Sequence, residues 1–128
     1  MPLVKIFRHI FKGREFKESL KLAVKGILYL FLYHRNMRVI FLMGIAASLL
    51  GLYLRLRGIE LAILFTTVTI VFVSEIFNTA IEILMDIVSE EHHVKIKLVK
   101  DISAAVVLLA SLNAMVIGYI IFVHRFSR

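Results

Sequence analysis

LAILFTTVTIVFVSEIFNTAIEILMDIV, residues Leu61–Val88, decides how the rest of the chain reads. Its first 14 residues, Leu61 to Ser74, carry no charge, and the apolar character continues past Glu75 and Glu82 to Val88. A bilayer core about 30 Å thick takes roughly 20 helical residues. Acids at such depth face protein or a wet cavity rather than lipid, so this segment spans only if its carboxylates turn inward. On either side lie two cleaner runs. Val39 to Leu54, just after Arg38, has no charge, and neither have the 22 residues from Ile102 to Val123. Transmembrane β-barrel strands alternate in character and these runs do not. With 60% hydrophobic residues and a mean hydropathy of +0.89, the 128-residue chain has too little polar material to cover a soluble globule. The expected fold is an all-α membrane protein forming one domain over residues 1–128. An interfacial helix region occupies about 1–35, and the spanning helices about 36–54, 60–88 and 101–123.

The flanks support that reading. Residues 3–12 place Leu3, Val4, Ile6, Phe7, Ile10 and Phe11 against Lys5, Arg8, His9 and Lys12, and residues 14–33 continue the pattern. Such a helix lies in the interface with its lysines toward anionic headgroups. No small-residue cleavage site follows a short apolar core, so this is not a cleavable signal. The net charge of +7 is unevenly spread, which speaks for a membrane rather than nucleic acid. Twelve Lys and Arg fall in residues 1–38 and 95–100, against four at Arg55, Arg57, Arg125 and Arg128. The bias predicts a cytoplasmic amino terminus. Without cysteine there are no disulfides and no thiolate zinc sites. Gly44, Ala47, Ser48 and Gly51 line one face of the first spanning helix, and Ala110, Ala114 and Gly118 one face of the third. Small residues at this spacing allow close helix approach, and three spans offer few internal partners for two such faces, so oligomerisation is expected.

Helical phase sharpens the middle segment. With Glu75 at zero, Asn78, Thr79, Glu82 and Asp86 all fall within a stripe about 100° wide. If the helix runs on, Ser89 and His93 extend it. One Asn or Glu would serve as helix glue. Three acids on one line, with no basic residue in the span, repel one another unless a cation sits between them, which invites a divalent metal. Beyond the stripe, Glu90, Glu91, His92, His93, Lys95, Lys97, Lys100 and Asp101 crowd one loop, offering acids to a metal and donors to phosphate. There is no Walker A pattern, so nucleotide chemistry here has to be built by helices. The stripe would also suit a non-enzymatic oligomer conducting cations or protons.

Glu75-Ile-Phe-Asn78-Thr-Ala-Ile-Glu82, then Asp86, His93 and Lys100-Asp101-Ile-Ser-Ala-Ala, resembles the signature of the prokaryotic diacylglycerol kinase and undecaprenol kinase family. The resemblance covers about residues 14–123. It implies a homotrimer with active sites shared between neighbours, and ATP-dependent phosphorylation of a lipid alcohol, undecaprenol or diacylglycerol, at the cytoplasmic face. Glu75 would be the general base and Asn78 would position groups around the reacting centre, with Asp86 in support. Glu82 would hold Mg²⁺. Glu82, Glu91, His92, His93, Lys100 and Asp101 would contact ATP, while Glu75 and Ala104 would meet the lipid. One position departs. The family reads Glu-x-Asn-x-Arg before its first span, with that Glu a metal ligand, whereas this chain has His34-Arg35-Asn36-Met37-Arg38. Mg²⁺ prefers oxygen and imidazole suits transition metals better, so a site using His34 would be less selective for Mg²⁺ and more open to Mn²⁺. Val106, where the family has a small residue, would narrow the lipid cleft.

Overall fold

A computed structural model describes residues 2–10, 13–88 and 94–127. Among them are five helices and no strand: α1 (Pro2–Ile10), α2 (Gly13–Tyr33), α3 (Arg35–Tyr53), α4 (Ile59–Val88) and α5 (Val94–Phe126). The chain divides into two compact units, Met1–Arg35 and Asn36–Arg128.

In the first unit, α1 opens on Pro2, whose fixed φ and missing N–H suit the first position of a helix. Leu3, Val4, Ile6 and Phe7 of α1 and Phe16, Leu20 and Ile27 of α2 are exposed apolar side chains, as an amphipathic helix at an interface requires. The helical bonding of α2 carries one residue past Tyr33: the His34 N–H donates to the Leu30 carbonyl at 2.9 Å. The rings there gather, with Tyr29 and Tyr33 centroids 4.8 Å apart and Tyr29 and His34 6.1 Å apart.

The helices long and apolar enough to cross a membrane lie in the second unit, apart from Arg35, the first residue of α3, which belongs to the first. α3, α4 and α5 have 19, 30 and 33 residues, or about 28, 45 and 50 Å at helical rise. The last two therefore outreach the hydrocarbon core. α5 is longer at both ends than the apolar run 102–123, and this corrects one expectation. Lys95, Lys97, Lys100 and Asp101 lie on its first turns rather than in a loop. Lysine is a good helix former, and a polar helix end outside the bilayer needs no apolar stripe.

The α3–α4 turn is closely determined. The Leu56 N–H reaches back to the Gly51 carbonyl (3.0 Å) and the Arg55 N–H to the Leu52 carbonyl (3.1 Å). That is a Schellman closure, with Arg55 at the left-handed position (φ 60°) that glycine usually fills. Leu56 folds back over Gly51 and is buried with Leu64 and Ile121, against which Leu61, Val68, Ile117 and Phe122 pack. From α5, the Arg125 guanidinium donates to the carbonyls of Leu54 (2.9 Å) and Arg55 (3.1 Å), two acceptors that the end of α3 would otherwise leave unpaired.

Small residues do different work on the two outer helices. A methyl at Gly51 would fall 2.5 Å from Leu64 Cδ2, and one at Gly44 2.7 Å from Val68 Cγ1. The glycines of α3 are therefore spent on packing against α4 within the chain, where the Phe41 and Phe72 rings also meet at 5.7 Å. Around Gly118 of α5 there is open space.

Candidate active site

Along α4 the polar stripe divides by depth. Ser74, Glu75 and Thr79 are buried, Asn78 is half-buried, and Glu82 and Asp86 are exposed. The hydroxyls are spent on the helix itself: Ser74 donates to the Ile70 carbonyl (2.7 Å) and Thr79 to that of Glu75 (2.9 Å), as Thr67 does to Ile63 (2.7 Å). This local bonding lets Ser and Thr sit in an apolar span without an outside partner. The Thr79 hydroxyl is thus committed to its own helix, which leaves Glu75, Asn78, Glu82 and Asp86 as the polar side chains of the stripe. Asn78 Oδ1 is buried without a hydrogen-bond partner, a costly state that marks a place for a donor to arrive.

Beside Ser74 and Asn78, with Glu75 outside its lining, α4 and α5, the most extensively packed helices of the unit, part to leave a groove of about 490 Å³. Phe77, Ile81, Ile102 and Val106 make its walls largely apolar, with Ser74, Asn78 and Ser103 as its polar points. The size and character suit a small apolar ligand or part of a longer one. Ser103 was missed in the sequence, although its place one turn after Lys100 would have put it on the same face of α5. Ala104 is exposed and does not line the groove, whereas Val106 does.

At the open end of the stripe, Lys100 Nζ on α5 lies 2.7 Å from Asp86 Oδ1, so a positive charge absent from α4 itself is supplied by its neighbour. Asp101 is exposed beside it. Glu91, His92 and His93, expected to meet the nucleotide, lie outside the described residues, as do Ser89 and Glu90. His34 is half-buried and belongs to the first unit, Glu82 to the second. Among the described residues no three acids or histidines gather into a metal-holding group.

The model of the family described as prokaryotic diacylglycerol kinase matches residues 21–122, from within α2 to near the end of α5 and including the whole stripe. This chain belongs to that family. Over 101 residues it is 35% identical to a diacylglycerol kinase from Synechocystis sp., covering 78% of this chain and 58% of the relative. Over 80 residues it is 32% identical to an undecaprenol kinase from Bacillus subtilis, covering 62% and 65% respectively. The chain thus spans less than two thirds of the length of either relative. Membership in the prokaryotic diacylglycerol kinase family agrees with the three apolar helices, and the match takes in His34, Glu75, Asn78, Glu82, Asp86, Lys100 and Asp101 together.

Proposed function

We propose that this chain transfers the γ-phosphoryl group of ATP to the hydroxyl of a membrane lipid alcohol, diacylglycerol or undecaprenol, at the cytoplasmic face. The observation that carries this reading is the order of features along α4: a buried carboxylate at Glu75, an apolar groove beside Asn78, and an exposed carboxylate end with an ammonium group at Asp86. A lipid hydroxyl needs the first two and a polyphosphate the third.

The donor set fits the cofactors. Glu82 offers exposed carboxylate oxygens, which Mg²⁺ prefers, and Lys100 offers ammonium donors to phosphate. Glu82 would hold the metal, which supplies neutralisation of the charge on the nucleotide's terminal phosphates. The Glu75 carboxylate takes the lipid hydroxyl proton as the new O–P bond forms and the bond from the γ-phosphorus to the β–γ bridging oxygen breaks, releasing ADP. Asn78 presents its unpaired Oδ1 to a group entering beside Glu75 and so orients it. Lys100, Asp101, Glu91, His92 and His93 hold the nucleotide. With His34 where the family has Glu, the metal is bound with one carboxylate fewer, and His34→Glu lowers the Mg²⁺ concentration needed for half-maximal rate; coincident Mg²⁺ curves for parent and variant would place residue 34 outside the metal site.

The assembly is a homotrimer with a cytoplasmic amino terminus. Support comes from the family resemblance, the open face of α5 around Gly118, and the twelve-to-four division of Lys and Arg. ADP release measured in mixed micelles with undecaprenol, diacylglycerol or no added lipid tests the reading. One of the two lipids is expected to raise the rate well above the lipid-free value. Equal rates in all three would refute it.

A further inference from the structure

Asp86 and Lys100 are 14 residues apart in sequence, on different helices, yet Lys100 Nζ lies 2.7 Å from Asp86 Oδ1. The pair is open to solvent, the Lys100 side chain being 38% and that of Asp86 69% exposed. Exposed ion pairs contribute little to stability, so the fold is not what this one chiefly serves. Its effect is on position. Asp86 follows Glu82 by four residues, which puts the two carboxylates one above the other on the same face of α4. Holding Lys100 at Asp86 therefore brings an ammonium from α5 onto the acid stripe of α4, one helical turn from Glu82. Left to itself, a lysine head on its flexible four-carbon stem would disperse into solvent. An ammonium has three donors, and one given to Asp86 leaves two for phosphate oxygens.

We infer that Asp86 is a positioning residue: it holds the Lys100 ammonium beside Glu82, where the ammonium receives the terminal phosphates of the nucleotide. This rests on the kinase reading above but assigns Asp86 a task that the reading does not need. The task is separable from metal binding and from proton transfer.

The test is a double-mutant cycle on the full-length protein in micelles. A non-hydrolysable ATP analogue is titrated by calorimetry into the parent, Asp86→Asn, Lys100→Met and the double variant, with Glu60→Gln at the far end of α4 as the charge control. Thermal midpoints are measured alongside. Asp86→Asn is expected to weaken binding by about two- to five-fold, the scale of an exposed ion pair. In the Lys100→Met background the same change should have no further effect. The KM for ATP should rise in step, while the thermal midpoint stays near the parent value. Independent effects of the two single changes on binding, or a fall in the thermal midpoint with binding unchanged, would overturn the proposal. A parent that binds the analogue but phosphorylates no lipid defeats the kinase reading and leaves the cycle to decide on Asp86. A parent that binds no nucleotide defeats both.

Discussion

The two ends of the α4–α5 pair are built on opposite principles. At the α3–α4 turn, the polar backbone is answered: Leu56 and Arg55 close the end of α3, Arg125 covers the carbonyls of Leu54 and Arg55, and Leu56, Leu64 and Ile121 fill the space behind. At the other end Asn78 keeps a buried oxygen without a partner, Glu82 and Asp86 stand in the open, and the helices part around a groove. A buried polar group without a partner costs stability, and a small membrane domain can carry one only where the rest of the bundle is well closed. The turn end anchors the helices so that the acid end can remain available to ligands.

Substitutions at the two ends should accordingly separate rate from stability. The largest effect is expected at Glu75. Glu75→Gln keeps shape and hydrogen-bonding capacity but removes the base, and kcat for lipid phosphorylation should fall by about 10²–10⁴-fold. The thermal midpoint should hold, and so should binding of the ATP analogue. A Glu75→Gln protein turning over lipid at near the parent rate would remove Glu75 from the chemistry and with it the contrast between the ends.

Arg125→Met should do the reverse. It keeps much of the side chain's length while withdrawing two charge-assisted hydrogen bonds, and a loss of about 1.5–3 kcal/mol in unfolding free energy is expected. The KM for ATP should not move at temperatures where the variant stays folded. If Arg125→Met instead changes nucleotide affinity with no loss of stability, the two ends are coupled and the division drawn above fails.

What the sequence discloses follows the same line. The spanning segments are legible because lipid imposes long apolar runs, and the stripe because an α-helix has a fixed period. That Glu75 is buried is legible too, since an acid at membrane depth turns inward, but only the packing of α4 against its neighbours shows that Glu82 and Asp86 stay exposed. The Lys100–Asp86 pair depends on how α5 is rotated against α4, and the reach of Arg125 to Leu54 joins residues about 70 positions apart. Neither leaves a local signal. The glycines of α3 show a different limit: small residues at helical spacing announce a close contact but not whether the partner is α4 or another chain. Lysines in a charged stretch look alike in a loop and on a helix end, which is why Lys95 to Lys100 read as loop.

The smallest expected effect tests how tightly the turn end is drawn. Arg55 holds a φ of 60°, where its Cβ crowds the following carbonyl, at a cost of about 1–2 kcal/mol for a residue other than glycine. Arg55→Gly removes that crowding but frees the unfolded chain, which gives back roughly 0.4–1 kcal/mol. The groups that Arg125 binds here are main-chain carbonyls, so they survive the substitution. A net gain of about 0.5–1 kcal/mol is expected. Loss of the Arg55 charge is a confounding change, since one of the four cations at positions 55, 57, 125 and 128 disappears. Arg55→Ala provides the correction, because it removes the same guanidinium but keeps a Cβ in the left-handed conformation. The difference in unfolding free energy between the Gly and Ala variants isolates the backbone strain, with Gly expected to be the more stable. Equal stabilities would mean that the turn relaxes once Arg55 is gone, and that Arg125, rather than the Schellman closure, is what fixes the end of α3.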